Sequence, residues 1–313
     1  MNKRKKGISL FVIILFLAGI TTAFVKVHGV TEYNGTVTDS ATTPNVISGA
    51  YVALTDSLFN VLGADHTDSN GEYSISTSAT TNKPYTLSVG KTRFDTEYLV
   101  DNDGGDNDFS LEGDGEKLAY LFWAENAGDE DIIQDYENIL EAVGYTVDPI
   151  MDCADVEDKC DDIRDYEIYS DTIFVYVIGH GSNTTGHSYT CFASQDGSNT
   201  SSQDFRGWMD EWEAERKCIL VDSCYSGDWA DDFAASPYLA MSSADETHVS
   251  YSNQSGGYNS QGIFSCNFFY AIDTWDYTAV QAYDYAEQFH DEATDTWPSY
   301  PKKQDYSSYT WFN

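Results

Sequence analysis

Two apolar runs, Thr172–Ile178 and Cys218–Asp222, each stop abruptly at a cluster of small residues that carries a reactive side chain. The first feeds Gly179-His180-Gly181-Ser182, and the second feeds Ser223-Cys224-Tyr225-Ser226-Gly227. Continuous apolar runs rich in β-branched and aromatic residues, without polar alternation, belong to strands covered on both faces, as in a parallel sheet. In open α/β sheets, sites form just beyond the carboxyl ends of the strands. If these two strands are parallel neighbours, His180 and Cys224 project from one edge. That supplies what a thiol nucleophile needs, a base close enough to generate thiolate.

The surrounding rhythm agrees with an α/β unit spanning residues 117–313. Leu118–Trp123 reads as an apolar strand, and Thr146–Pro149 begins another. Ile132, Ile133, Tyr136, Ile139, Leu140 and Val143 share one helical face that Gly144 ends. Phe205, Trp208, Met209 and Trp212 mark a further helix, Tyr238–Met241 a strand, and Ile263–Ile272 and Thr278–Phe289 two more helices. Alternating strands and helices predict a mainly parallel sheet flanked by helices. Residues 31–113 differ. Tyr33–Val37, Ala50–Leu54, Tyr73–Thr77, Tyr85–Val89 and Tyr98–Val100 are short β-rich runs separated by Gly, Asn, Asp, Ser and Thr, which predicts an all-β sandwich.

Residues 1–29 read as a targeting segment. Lys3-Arg4-Lys5-Lys6 precedes the uncharged stretch Ile8–Val25, the layout of a secretory signal. At 18 residues that stretch also approaches the length of an uncleaved membrane anchor. The expected location is secreted or extracytoplasmic. The chain carries 52 acidic and 16 basic side chains, and five of the basic ones fall in this segment. Such a charge excludes nucleic acid and anionic membrane surfaces as partners, because each phosphate would be repelled. Aromatic residues at 15% exclude a disordered acidic chain. Six cysteines without a CxxC pair argue against zinc, and Cys153 and Cys160 are spaced to close a small loop. Asp101, Asp103, Asp106 and Asp108 lie in an acidic Gly-containing loop that could wrap calcium, but an EF-hand register fails at Gly105 and Asp106. The plain alternative is a solvated loop, and no cofactor is required.

Val175-Tyr-Val-Ile-Gly-His180-Gly181-Ser182, followed 44 residues after the His by Cys224 in Leu220-Val-Asp-Ser-Cys-Tyr-Ser-Gly227, resembles the caspase-like cysteine peptidase clan, which holds caspases, metacaspases, legumains, clostripains and gingipains. Leu239-Ala-Met-Ser-Ser243 and Gly262-Ile-Phe-Ser-Cys-Asn-Phe-Phe269 extend the resemblance, which is closest to legumain-like and metacaspase-like members. Gly35-Thr-Val-Thr-Asp39, Ile47–Leu54 and Thr67–Ser74, with Phe109–Leu111 as a closing strand, resemble the carboxypeptidase regulatory-like domain, an accessory module.

The clan resemblance implies Cys224 as nucleophile and His180 as the acid/base, with the Gly181 and Cys224 amides binding the oxyanion. It implies Asp222 and Asn126 as substrate-binding residues. In metacaspase-like members the Asp two before the nucleophile pairs with Lys or Arg, whereas legumains place an Asn where Asn126 falls. The Arg that legumains place two residues later is replaced by Gly128, beside Asp129-Glu130-Asp131. The expected function is a secreted cysteine endopeptidase acting on peptides or proteins, cutting after basic residues. The alternatives are an asparaginyl peptidase, a peptide ligase and a catalytically silent binding module. His187, also preceded by glycine, and His248 are expected to be surface residues, and the sandwich is expected to be dispensable for cleaving small peptides.

Overall fold

The computed structural model describes residues 30–41, 43–79, 82–101, 104–124, 130–184, 187–191, 199–253, 261–293 and 299–312. The targeting segment, Asn126, Gly128 and Asp129 therefore lie outside the described residues, as does Asp103 of the acidic loop.

The N-terminal region is two four-stranded sheets. In one, Thr31–Asp39 pairs antiparallel with Glu72–Thr77 and parallel with Gly105–Asp106 and Phe109–Leu111. In the other, antiparallel order runs Val61–His66, Tyr51–Thr55, Tyr85–Gly90, Glu97–Asp101. Strict alternation in Glu72–Thr77 turns Tyr73, Ile75 and Thr77 inward. Tyr73 and Ile75 join Tyr33, Val37, Val52, Leu54 and Leu87 in a core shared by both sheets. The strand Val61–His66 is absent from the sequence expectation for a physical reason. It lies at a sheet edge, holds no fully buried residue, and so carries no period-two pattern. Asp108 of the acidic loop accepts a hydrogen bond from the Thr36 amide at 2.9 Å, and Asp106 sits in a strand. Among the described residues no group of three or more His, Cys, Asp or Glu is arranged to hold a metal ion.

From Lys117 onward a six-stranded sheet runs in the order Thr146–Met151, Lys117–Trp123, Thr172–Ile178, Arg216–Asp222, Tyr238–Ser242, Lys302–Asp305. The first five are parallel and the last is antiparallel. Side chains alternate across it. Ala119, Leu121 and Trp123 pack with helices Glu130–Ala142, Ile263–Trp275 and Ala279–Ala293, around Tyr136, Phe268, Phe269 and Phe312. Leu118, Tyr120 and Phe122 pack with Val156–Tyr166, Ser202–Asp210 and Gly227–Asp232, around Phe205, Met209 and Trp229. Three helices on each face bury every residue of Thr172–Ile178, which is why that strand reads as an unbroken apolar run.

The two regions meet at the amino-terminal end of the sheet. Arg93, from the sandwich, donates to both oxygens of Asp171 at 2.7 and 2.9 Å, and its guanidinium lies 4.7 Å from the Tyr166 ring centre. Asp171 is fully buried and also accepts the amides of Glu116 and Ile168. The cysteines Cys153, Cys160, Cys218, Cys224 and Cys266 are free thiols. Cys160 is packed into the core and Cys153 donates to the Asp155 carbonyl, so the loop closure suggested by their spacing is not formed.

Candidate active site

Register decides which loops meet. Thr172–Ile178 and Arg216–Asp222 pair in parallel over their whole length, with Ile178 opposite Asp222. His180 and Cys224 each lie two residues beyond that last pair, so equal offsets deliver both to one edge. The expectation drawn from the two motifs holds in this respect. Trp123 pairs with Ile178 on the other side, so the strand Lys117–Trp123 ends at the same edge.

The two loops touch through Gly181. A Cβ there would stand 1.8 Å from the Cys224 carbonyl oxygen and 2.9 Å from the Cys224 nitrogen. Only a residue without a side chain lets the histidine loop lie against the cysteine turn. Gly181–Thr184 then pairs with His187–Cys191, which pairs with Asn199–Ser201. This hairpin is bonded to the cysteine turn. Thr190 Oγ1 lies 3.1 Å from Ser223 Oγ, and Ser188 Oγ contacts both the Tyr225 carbonyl and Asp228 Oδ2. His187 starts the second strand of the hairpin, opposite Thr184, and so sits at its far end from the sheet edge. His180 is exposed at the near end.

The cysteine turn is held in an uncommon conformation. Tyr225 has φ 60°, the left-handed region that non-glycine residues rarely occupy. Its amide donates to the His248 carbonyl at 2.8 Å. The loop that supplies this bond also supplies Ser250, whose carbonyl lies 3.7 Å from Cys224 Sγ. Cys224 is half-buried, and burial pushes its thiol above the usual range. The Ser250 contact pulls the other way and the Asp222 carboxylate adds to the rise. A thiol raised in this way would need a base to take its proton before it could attack a carbonyl.

Asp222 is buried, with 3% of its surface exposed. Ser250 Oγ donates to its Oδ1 at 2.7 Å, and Ser265 contributes its hydroxyl and its amide to Oδ2. Ser265 stands in the first turn of helix Ile263–Trp275, so the carboxylate lies where free amides and the helix dipole favour negative charge. Gly262 is needed here because a Cβ would overlap Asp222 Oδ2 at 1.8 Å. Among the described residues no Lys or Arg forms an ion pair with Asp222.

Sequence reasoning passed over His248. Its Nδ1 lies 2.7 Å from Asp245 Oδ1, its ring packs edge-on against Tyr300, and it is only partly exposed. Partial burial would raise the Asp245 carboxyl, but hydrogen bonds from His248 and Thr247 outweigh that and hold it below the usual range. Gly227 packs against the backbone of Asp245 and Glu246, and Asn183 of the hairpin bonds the Glu246 carbonyl. The loop 245–250 thus ties together both halves of the site. Its only sequence signal is an Asp and a His three residues apart.

Residues 166–309 match the model of the Peptidase C13 family. The matched stretch contains His180, Gly181, Asp222 and Cys224, and it leaves out the sandwich and the strand Lys117–Trp123. On this match the chain is a cysteine-type peptidase, and its substrates are proteins or peptides. A crystal structure of drICE overlaps 64% of this chain and 91% of its own, with 12% identity and a TM-score of 0.43. No curated protein sequence matches the chain.

Proposed function

We propose that the protein is an exported cysteine endopeptidase that works through a Cys224–His180 dyad and prefers Lys or Arg before the scissile bond. The observation that carries the dyad is the equal two-residue offset of His180 and Cys224 beyond paired strand ends, with Gly181 pressed on the Cys224 backbone. His180 takes the thiol proton as Sγ attacks the peptide carbonyl. The carbonyl oxygen becomes an oxyanion, to which the Gly181 and Cys224 amides donate. The tetrahedral adduct collapses to a thioester as the C–N bond breaks and His180 passes its proton to the leaving amine. Water, deprotonated by the same imidazole, then adds to the thioester and frees the acid and the thiol.

The basic preference rests on Asp222, a buried carboxylate close to the nucleophile and without a cation of its own among the described residues. Its three donors leave lone-pair capacity for a guanidinium or ammonium. Losing a charged hydrogen-bond partner of this kind typically costs about 2 kcal/mol, roughly 30-fold in discrimination. Export rests on the basic start and the uncharged Ile8–Val25 stretch.

The test is a panel of fluorogenic peptides ending in Arg, Lys, Asn or Asp, run with and without calcium. Cleavage after Arg and Lys, lost in Cys224→Ala and reduced at least tenfold in Asp222→Asn, is the expected result. Cleavage after Asn or Asp alone would overturn the Asp222 assignment, and activity in pure Cys224→Ala would overturn the dyad.

A further inference from the structure

Every exposed Val, Leu, Ile or Phe among the described residues falls between positions 30 and 100. Among the residues of the peptidase region whose burial is described, none is such a side chain. Its large exposed apolar groups are one methionine and amphipathic aromatics. Five of the sandwich residues, Val30, Leu58, Phe59, Val61 and Val100, collect at one pole. Thr31 pairs with Thr77, whose strand leads to Ala79, and the Ala79 carbonyl accepts from the Tyr85 hydroxyl. Tyr85 pairs with Asp101, next to Val100, while Thr55 pairs with Thr86 and Val61 at the base of the Leu58–Phe59 turn. The Ser57 amide donates to the Asn82 carbonyl, closing the group.

The turn itself is built to present its apolar tip. Asp56, buried, accepts the amides of Leu58 and Asn60 at 2.9 Å and the side chains of Asn60 and Asn82. Phe59 is 87% exposed and has φ 62°. A bulky side chain in the left-handed region costs the fold energy, and full exposure returns none of it. Patches of this kind mark contacts with something outside the chain. The identity of that contact follows from where the chain enters: Val30 opens this pole, directly after residues 1–29 with their uncharged Ile8–Val25 stretch. The peptidase is attached at the opposite pole, where Arg93 grips Asp171, one strand length or ~30 Å away.

We propose that this pole is a bilayer-contact surface, with Leu58 and Phe59 entering the interfacial layer of the membrane in which residues 8–25 are held. Lys83 stands beside it, with its ammonium over the Tyr85 ring. The acidic charge of the whole chain restricts the partner to zwitterionic headgroups. The sandwich is then a spacer, and the cysteine edge faces away from the lipid, beyond the far end of the central strands. This rests on the export reading with the N-terminal segment retained.

The full chain, with its N-terminal segment, is inserted into phosphatidylcholine vesicles containing a lipid with a photoreactive group near the glycerol backbone, and labelled sites are mapped by mass spectrometry. Labelling is expected on 8–25 and on 56–61. The pair Leu58→Ser and Phe59→Ser should lower labelling of 56–61 at least tenfold, leaving 8–25 labelled and peptide cleavage unchanged. Labelling of 8–25 without 56–61 overturns the contact surface and leaves the anchor standing. Recovery of an unlabelled chain in the aqueous phase overturns both, and peptide cleavage in the same sample tests the peptidase reading separately.

Discussion

Replacing Arg93 by alanine should loosen the whole molecule while leaving the chemistry in place. Asp171 is fully buried, and two of its four hydrogen bonds come from Arg93. Breaking a buried pair by removing one partner costs about 3–5 kcal/mol, because a charge is left without compensation. The Glu116 and Ile168 amides still serve the carboxylate and hold the loss to about 3 kcal/mol. The stacking of Arg93 on Tyr166 adds about 1 kcal/mol. A chain of this size loses about 1.5 °C of Tm per kcal/mol, so calorimetry should show a fall of about 6 °C. Asp171 precedes the strand whose other end leads to His180, so kcat on a short peptide at 25 °C should stay within twofold of the parent. Adding Asp171→Asn to Arg93→Ala should recover part of the lost Tm, since it removes the stranded charge. A fall under 2 °C, or a further drop in the double variant, would refute this account of the junction. The same reasoning bears on trimming the sandwich: a chain lacking residues 31–113 strands Asp171 and should be active only well below its parent's melting range.

Four further outcomes are expected. His180→Ala and Cys224→Ala should each abolish peptide cleavage with Tm changed by no more than a few degrees, whereas His187→Ala should retain cleavage. Gly181→Ala should cut kcat/KM at least 100-fold with unchanged circular dichroism, because its Cβ would overlap the Cys224 carbonyl. Alkylation of Cys224 by iodoacetamide should still accelerate above pH 8, because burial raises its thiol; a plateau reached by pH 7 would contradict that. Burial raises Glu167 from 4.5 to about 7 against the Glu213 and Ala214 amides. Its contribution is fully present below pH 4.5 and is lost as pH rises through 7, so Glu167→Gln should gain up to about 3 kcal/mol on the parent across that window in urea unfolding.

The strands that carry the chemistry were legible because both faces of each are covered, which writes an unbroken apolar run ending where the chain reaches solvent. The helices were legible where one face packs on the sheet, as with Ile132, Ile133, Tyr136 and Leu140. Helix Val156–Tyr166 was not, because acidic residues surround its three buried side chains. The antiparallel strand Lys302–Asp305 is polar throughout and is held at the sheet edge by backbone pairing with Tyr238–Ser242. Arg93 and Asp171 sit in turns, where a charge reads as surface, and only the docking of two regions buries them. The support given to Asp222 by Ser250 and Ser265 joins residues 28 and 43 positions away, and nothing local in the sequence announces it.

The matched register of the two central strands also governs when the chain becomes dangerous to itself. His180 and Cys224 are brought together only after Thr172–Ile178 has paired with Arg216–Asp222, a closure across more than forty residues. Neither loop holds both side chains, and the left-handed residue of the cysteine turn is bonded to the carbonyl of residue 248. On the proposed dyad, a chain emerging from synthesis holds both side chains and can cut nothing. On that reading, proteolytic competence is a property of the assembled sheet, and loss of the sheet switches it off.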